Sequence, residues 1–127
     1  MTPLTDSERR YVDTLITAIG GWRSIRSGAC FRNAQRLLFA DSQRRLRYRE
    51  GTRPFAHAWV TINKKIVDVT EEARARQLKR TMPSHVVRGL REIGRFDYSR
   101  GVTINRRTVL RHVRRVNRWD SVLNYHD

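Results

Sequence analysis

The sequence predicts an α+β fold: N-terminal helices packed on a small antiparallel sheet, followed by C-terminal helices. Three observations carry this. Residues 5–19 pair a capping signature with helical apolar spacing. Residues 57–69 alternate as a hairpin around Asn63-Lys64. Residues 105–119 return to helical spacing, with apolar and basic residues on separate faces. At 127 residues the chain is one domain, 1–127, long enough for a real core. Its hairpin-bearing centre spans 28–70 and its helical C-terminal region 71–127.

The first helix follows Thr5-Asp6-Ser7-Glu8, a capping box. Val12, Leu15, Ile16 and Ile19 make its apolar face, and Gly20-Gly21 stops it. Trp22 to Gly28 reads as a loop with room for a short turn of helix. A second helix covers Ala29 to Ala40, where Cys30, Ala34, Leu37 and Leu38 share one face. A strand follows over Leu46–Arg49, closed by Glu50-Gly51 and expected to pair with the strand that starts at His57.

The hairpin joins His57–Ile62 to Lys65–Val69. A two-residue turn sets Ile62 against Lys65, Val60 against Val67 and Ala58 against Val69. One face is then almost wholly apolar, which is the argument for this register. The other face carries His57, Trp59, Thr61, Ile66, Asp68 and Thr70, with Asp68 opposite Trp59 and diagonal to His57. Thr70-Glu71-Glu72 predicts a helix start with Thr70 as N-cap, running to about Arg80. Met82-Pro83-Ser84 breaks it. Ser84–Ile93 has helical spacing again, and residues 94–101 read as a loop. The last helix, Asn105 to Trp119, buries Val109, Leu110, Val113 and Val116.

Composition narrows the function classes. One cysteine excludes an internal disulfide, and no apolar run approaches the roughly 20 residues that span a bilayer. The polar N-terminus is unlike a signal peptide, so a cytoplasmic protein without a membrane partner is expected. His85 and His112 have no ligand-like spacing to Cys or carboxylates, and His126 is terminal; no metal and no cofactor are expected. The net charge is +15, and all basic residues except Lys64, Lys65 and Lys79 are arginine. The excess is spread over both halves of the chain. It either attracts a polyanion, nucleic acid or an acidic protein, or merely solvates the surface. Arg107, Arg111, Arg114 and Arg118 form a stripe on the last helix, either a solvated face or a phosphate-tracking one. Trp119 and Tyr125 are candidates to stack on bases, though Trp119 also suits the end of the apolar stripe.

Cys30 opens a helix, where unpaired N–H groups and the dipole favour a thiolate; Arg26 and Arg32 act in the same direction. The alternative for a lone Cys before Phe31 is a buried, inert thiol. His57 and Asp68 on one face make an oriented imidazole. Each has a structural alternative, a packed histidine and a helix-capping aspartate.

Four pieces in order, Cys30-Phe31-Arg32-Asn33-Ala34, Tyr48-Arg49-Glu50-Gly51, His57-Ala58-Trp59 and Val67-Asp68-Val69-Thr70, resemble the core of transglutaminase-like proteins, within the wider papain-like group of cysteine hydrolases and acyltransferases. The resemblance covers about a third of the chain. It implies that Cys30 is the nucleophile, His57 the general base and acid, and Asp68 the group that orients His57. Val69 stands where the family has Pro in Asp-Pro-Thr, Asn63-Lys64-Lys65 where the turn usually has Gly, and the Cys-to-His spacing is short, as in a minimal phage or bacterial version. The Cys30 backbone N–H supplies one oxyanion donor. Trp22 and Asn33 are candidates for the second, and Asn33 equally suits pinning a loop. Trp59 reads as a wall of the site or as core. The implied chemistry is acyl transfer on an amide, isopeptide or thioester bond, with water or an amine as acceptor. The rival expectation is a basic, non-catalytic binding protein.

Overall fold

The computed structural model describes residues 2–52, 55–83 and 96–124. The expected helix Ser84–Ile93, with His85, and the terminal Tyr125 and His126 lie outside the described residues. The elements are α1 (Asp6–Ala18), α2 (Cys30–Ala40), β1 (Leu46–Gly51), β2 (His57–Ile62), β3 (Lys65–Val67), α3 (Val69–Thr81), β4 (Val102–Ile104) and α4 (Arg106–Val116). Short 3-10 turns cover Trp22–Ser24 and Tyr98–Arg100. The four strands form one antiparallel sheet in the order β3-β2-β1-β4, so the mixed α+β architecture is as the patterning required. Among the described residues no helix is long and apolar enough to cross a membrane.

The capping box on α1 is complete. Thr5 accepts from the Glu8 N–H, and Glu8 takes the Thr5 N–H at 2.7 Å. The Glu8 carboxylate also receives Lys65 Nζ at 2.7 Å and Asn63 Nδ2 at 2.6 Å. Lys65, the Thr5 amide and Asn63 together hold it well below the usual carboxylate range, at about 2. One side chain thus caps α1 and ties the β2–β3 turn to it.

That turn has Asn63 and Lys64 both at positive φ, 50° and 65°, as a two-residue hairpin turn requires. Val60 pairs with Val67 and Ile62 with Lys65 in the expected register. The expected Ala58–Val69 pair does not form, because β3 stops at Val67 and the chain turns into α3 at Val69. Asp68, not Thr70, is the N-cap: its carboxylate accepts the Glu71 N–H at 3.2 Å, at the positive end of the helix dipole. Thr70 lies inside the first turn, and its hydroxyl accepts from Asn33 Nδ2 at 2.8 Å.

The core lies between the helices and one face of the sheet. Leu37 and Leu38 of α2 pack with Val12 and Ile16 of α1 and with Tyr48, Ala58, Val60, Ile62 and Val67 of the sheet. Burial of each such aliphatic side chain contributes about 1.5–3 kcal/mol. All six residues of β2 are buried, so both faces of this strand are covered. The additional cover comes from residues 96–101, within the stretch expected to be loop, and from the three residues that follow it. Residues 96–104 supply Phe96, the 3-10 turn at Tyr98 and β4, which adds to β1 with Tyr48 against Ile104. α4 ends at Val116, three residues before the expected Trp119, because Asn117 takes the left-handed conformation (φ 55°) that closes a helix. Val109 and Val113 of its stripe are buried; Leu110 and Val116 are half-buried. Trp119 rests edge-on against Phe39.

Buried carboxylates fasten the ends of β1. Asp41 accepts the Arg45 and Leu46 N–H groups and the Tyr11 hydroxyl. Glu50 accepts from the Tyr48 hydroxyl, the Ser121 hydroxyl and the Val122 and Leu123 N–H groups, which holds the C-terminal segment against the sheet. A buried carboxylate with this many donors has its desolvation offset.

Candidate active site

Cys30, His57 and Asp68 come from three places: the first residue of α2, the first of β2, and the junction of β3 with α3. The hairpin positions the last two. Asp68 leaves the strand ladder, yet its carboxylate still reaches His57, with Oδ2 at 2.6 Å from Nε2. Its other oxygen caps α3, so the carboxylate is fixed from two sides. Cys30 favours the protonated form of the same imidazole through hydrogen bonding and charge. With Nε2 committed to Asp68, Nδ1 is the nitrogen left to serve the sulfur.

Burial of His57 disfavours its charged form. The hydrogen bonds to Asp68 and Cys30 outweigh that cost and lift its pKa from 6.5 to about 9. The imidazole is therefore protonated at neutral pH. Cys30 is buried, at 8% exposure, and is the free thiol of the chain. As the first residue of α2 its N–H has no intrahelical acceptor, so it is a donor available to a nearby oxyanion.

An aromatic shell surrounds the imidazole. Trp59 stacks beside it at 6.0 Å between centroids, Phe96 lies at 4.9 Å, and Phe55 meets it edge-on at 5.7 Å. Trp59 is 1% exposed and packs edge-on against Phe96 and Tyr98, so it is core and wall at once. Gly51 and Gly101 flank its ring closely; a Cβ on Gly101 would fall 2.4 Å from Trp59 Cζ2. The sequence patterning marks none of Phe55, Phe96 and Tyr98 as site residues, and the polar one of the three is Tyr98. Its hydroxyl donates to Asp68 Oδ2 at 2.6 Å, and burial together with the Asp68 charge pushes its pKa up, which keeps the proton on the phenol. Nothing local in Asp97-Tyr98-Ser99 signals this contact, which joins residues 30 positions apart.

The two candidates for a second oxyanion donor each have other contacts. The Asn33 side chain is fully committed: Oδ1 accepts the Arg26 N–H, and Nδ2 donates to the Arg26 carbonyl and the Thr70 hydroxyl. It pins the loop before α2 to the start of α3. Trp22 lies under the Arg76 guanidinium, 4.1 Å from the ring centroid. The arginines Arg107, Arg111, Arg114 and Arg118 are exposed on α4, outside this site. Among the described residues no group of three His, Cys, Asp or Glu side chains could hold a metal ion. No family model, curated protein or solved structure matches this chain.

Proposed function

We propose that the chain is a cysteine-dependent acyl-transfer enzyme of the transglutaminase-like or papain-like kind, acting on an amide, isopeptide or thioester bond. The observation that carries this reading is the single imidazole held by Asp68 at 2.6 Å through Nε2, whose protonated form Cys30 also favours. Cys30 Sγ attacks the carbonyl carbon and forms the C–S bond, while the carbonyl oxygen takes the negative charge beside the Cys30 N–H. His57 gives its proton to the leaving amine or thiol as that bond breaks. Water or an amine then attacks the thioester, His57 accepts its proton, and Cys30 leaves. Asp68 orients the ring and offsets the imidazolium charge throughout.

The test is the rate of Cys30 alkylation against pH, followed by turnover of a panel of amide, isopeptide and thioester substrates. The expected result is rapid labelling well below pH 8.5, where an ordinary thiol ionises, and its loss in His57→Ala. Turnover should fall about 10⁴-fold or more in Cys30→Ala. Labelling that follows an ordinary thiol and ignores His57 overturns the reading.

A second reading is partner binding through the basic surface, to nucleic acid or to an acidic protein. It is favoured by the exposure of Arg107, Arg111, Arg114 and Arg118 along one helix. The two readings use different residues and are compatible.

A further inference from the structure

The arginine stripe of α4 does not stand alone. It forms one side of a groove of about 1060 Å³ across one end of the sheet. Antiparallel pairing brings the start of β1, the β2–β3 turn and the end of β4 to this end, and α4 starts beside them. Arg44, Arg47 and Lys64 line it from the sheet, and Arg107, Arg111 and Arg114 from α4. All six are exposed, and among the described residues none of them forms an ion pair. Two further arginines at the groove are held in place: Arg45 over the Tyr11 ring, and Arg106 by the Leu38 and Asp41 carbonyls. Among the described residues no Asp or Glu lines the groove.

Six mutually repelling cations around one concavity are a standing electrostatic cost, which a bound polyanion relieves. The shape of the lining selects the polyanion. An acidic protein partner calls for buried aromatic or aliphatic anchors at the centre of its interface. Single strands call for exposed aromatic platforms. Among the described residues the one aromatic in the lining is Tyr48, which is fully buried and offers no ring face. What remains is arginine, whose planar fork suits phosphate oxygens. Arg107 to Arg114 spans roughly 10 Å of helix, enough to meet successive phosphates.

We propose that this groove binds the phosphodiester backbone of a nucleic-acid duplex without reading its sequence. The proposal rests on the second reading above and not on the cysteine. His57 and the groove lie at opposite ends of β2, roughly 16 Å apart along the strand.

The test is fluorescence anisotropy with short labelled DNA and RNA duplexes of mixed sequence, their single strands, and poly-glutamate. Binding of either duplex should weaken about 10³-fold between about 50 and 200 mM salt, with a log–log slope of roughly −5. The triple variant Arg107→Glu, Arg111→Glu, Arg114→Glu should lose at least about 100-fold in affinity and reduce the slope by roughly 3. A milder pair, Arg44→Gln with Lys64→Gln, should weaken binding from the other side and guards against misfolding of the triple variant. Cys30→Ala should bind as wild type does. Equal loss in the charge-matched control Arg10→Glu, Arg23→Glu, Arg80→Glu would overturn the groove while leaving a basic binding surface intact. No binding by any polyanion removes both. Tighter binding of single strands, or equal binding of poly-glutamate, overturns the assignment to duplex.

Discussion

Tyr98 and His57 share one oxygen: each lies 2.6 Å from Asp68 Oδ2, the phenol from the loop after residue 95 and the imidazole from the start of β2. Asp68 is thereby held by a donor outside the hairpin as well as by the N–H at the start of α3. Tyr98 acts through Asp68, as a positioning residue. In Tyr98→Phe one of the hydrogen bonds to the buried carboxylate is lost. The expected cost is about 1–2 kcal/mol of stability by urea unfolding. The imidazole should keep its raised titration in NMR, since its own bond to Asp68 remains. A His57 titration that falls to its ordinary value would contradict this.

Asp68→Asn separates the two jobs of Asp68. Asparagine caps helices about as well as aspartate, so α3 should survive, with the far-ultraviolet circular dichroism unchanged. The negative charge beside His57 is gone. The imidazole should then titrate near or below 6.5 instead of about 9, since burial is left with less to oppose it. Each unit of that fall removes about 1.4 kcal/mol from the protonated form. Rapid labelling of Cys30 below pH 8 should disappear with it.

The raised His57 pKa also sets a pH dependence of stability. The folded protein holds this proton more tightly than the unfolded chain, with values of about 9 and 6.5. The contribution is therefore complete below pH 6.5 and lost as pH rises through 9. Its size is at most about 3 kcal/mol. Urea unfolding at pH 6 and pH 9.5 should show wild type losing stability over this interval, and His57→Gln should flatten the loss. The buried Tyr48 and Tyr98 hydroxyls only begin to contribute at the upper end of this interval, since tyrosine in the unfolded chain titrates near 10.

Gly101 is fitted against Trp59. An added Cβ would meet Trp59 Cζ2 at 2.4 Å and Cη2 at 2.6 Å, and Arg49 Nε at 3.0 Å. The indole has no free direction, because Phe96 and Tyr98 pack on it. Gly101→Ala should cost about 1–3 kcal/mol and lower the melting temperature. Since Trp59 stacks beside His57, the labelling rate of Cys30 should drop too. A variant that melts as wild type does would show that the ring can shift at no cost.

The elements that formed as expected are those whose cause is local. The capping box of α1, the Gly20-Gly21 stop, the two-residue turn at Asn63-Lys64 and the alternation along β2 each involve residues within a few positions of one another. Backbone sterics and a two-residue or 3.6-residue period suffice to place them. The closeness of His57 and Asp68 was legible for the same reason, since one hairpin joins them. The extent of β3 was not. At Asp68 two local preferences competed, a strand position and a helix cap, and the cap won because the carboxylate satisfies both the Glu71 N–H and His57. β4 was hidden because Val102–Ile104 is too short to show a period; its pairing with β1 is what makes it a strand. Tyr98 at Asp68, Trp59 between Gly51 and Gly101, and the basic groove at the far end of the sheet depend on segments far apart in the chain. The chain's own order determined the α+β class, the charge and the residues that could do chemistry. Tertiary packing decided which of them meet, because contacts between distant segments are set by the shape and burial of the whole core and leave no periodic trace along the sequence.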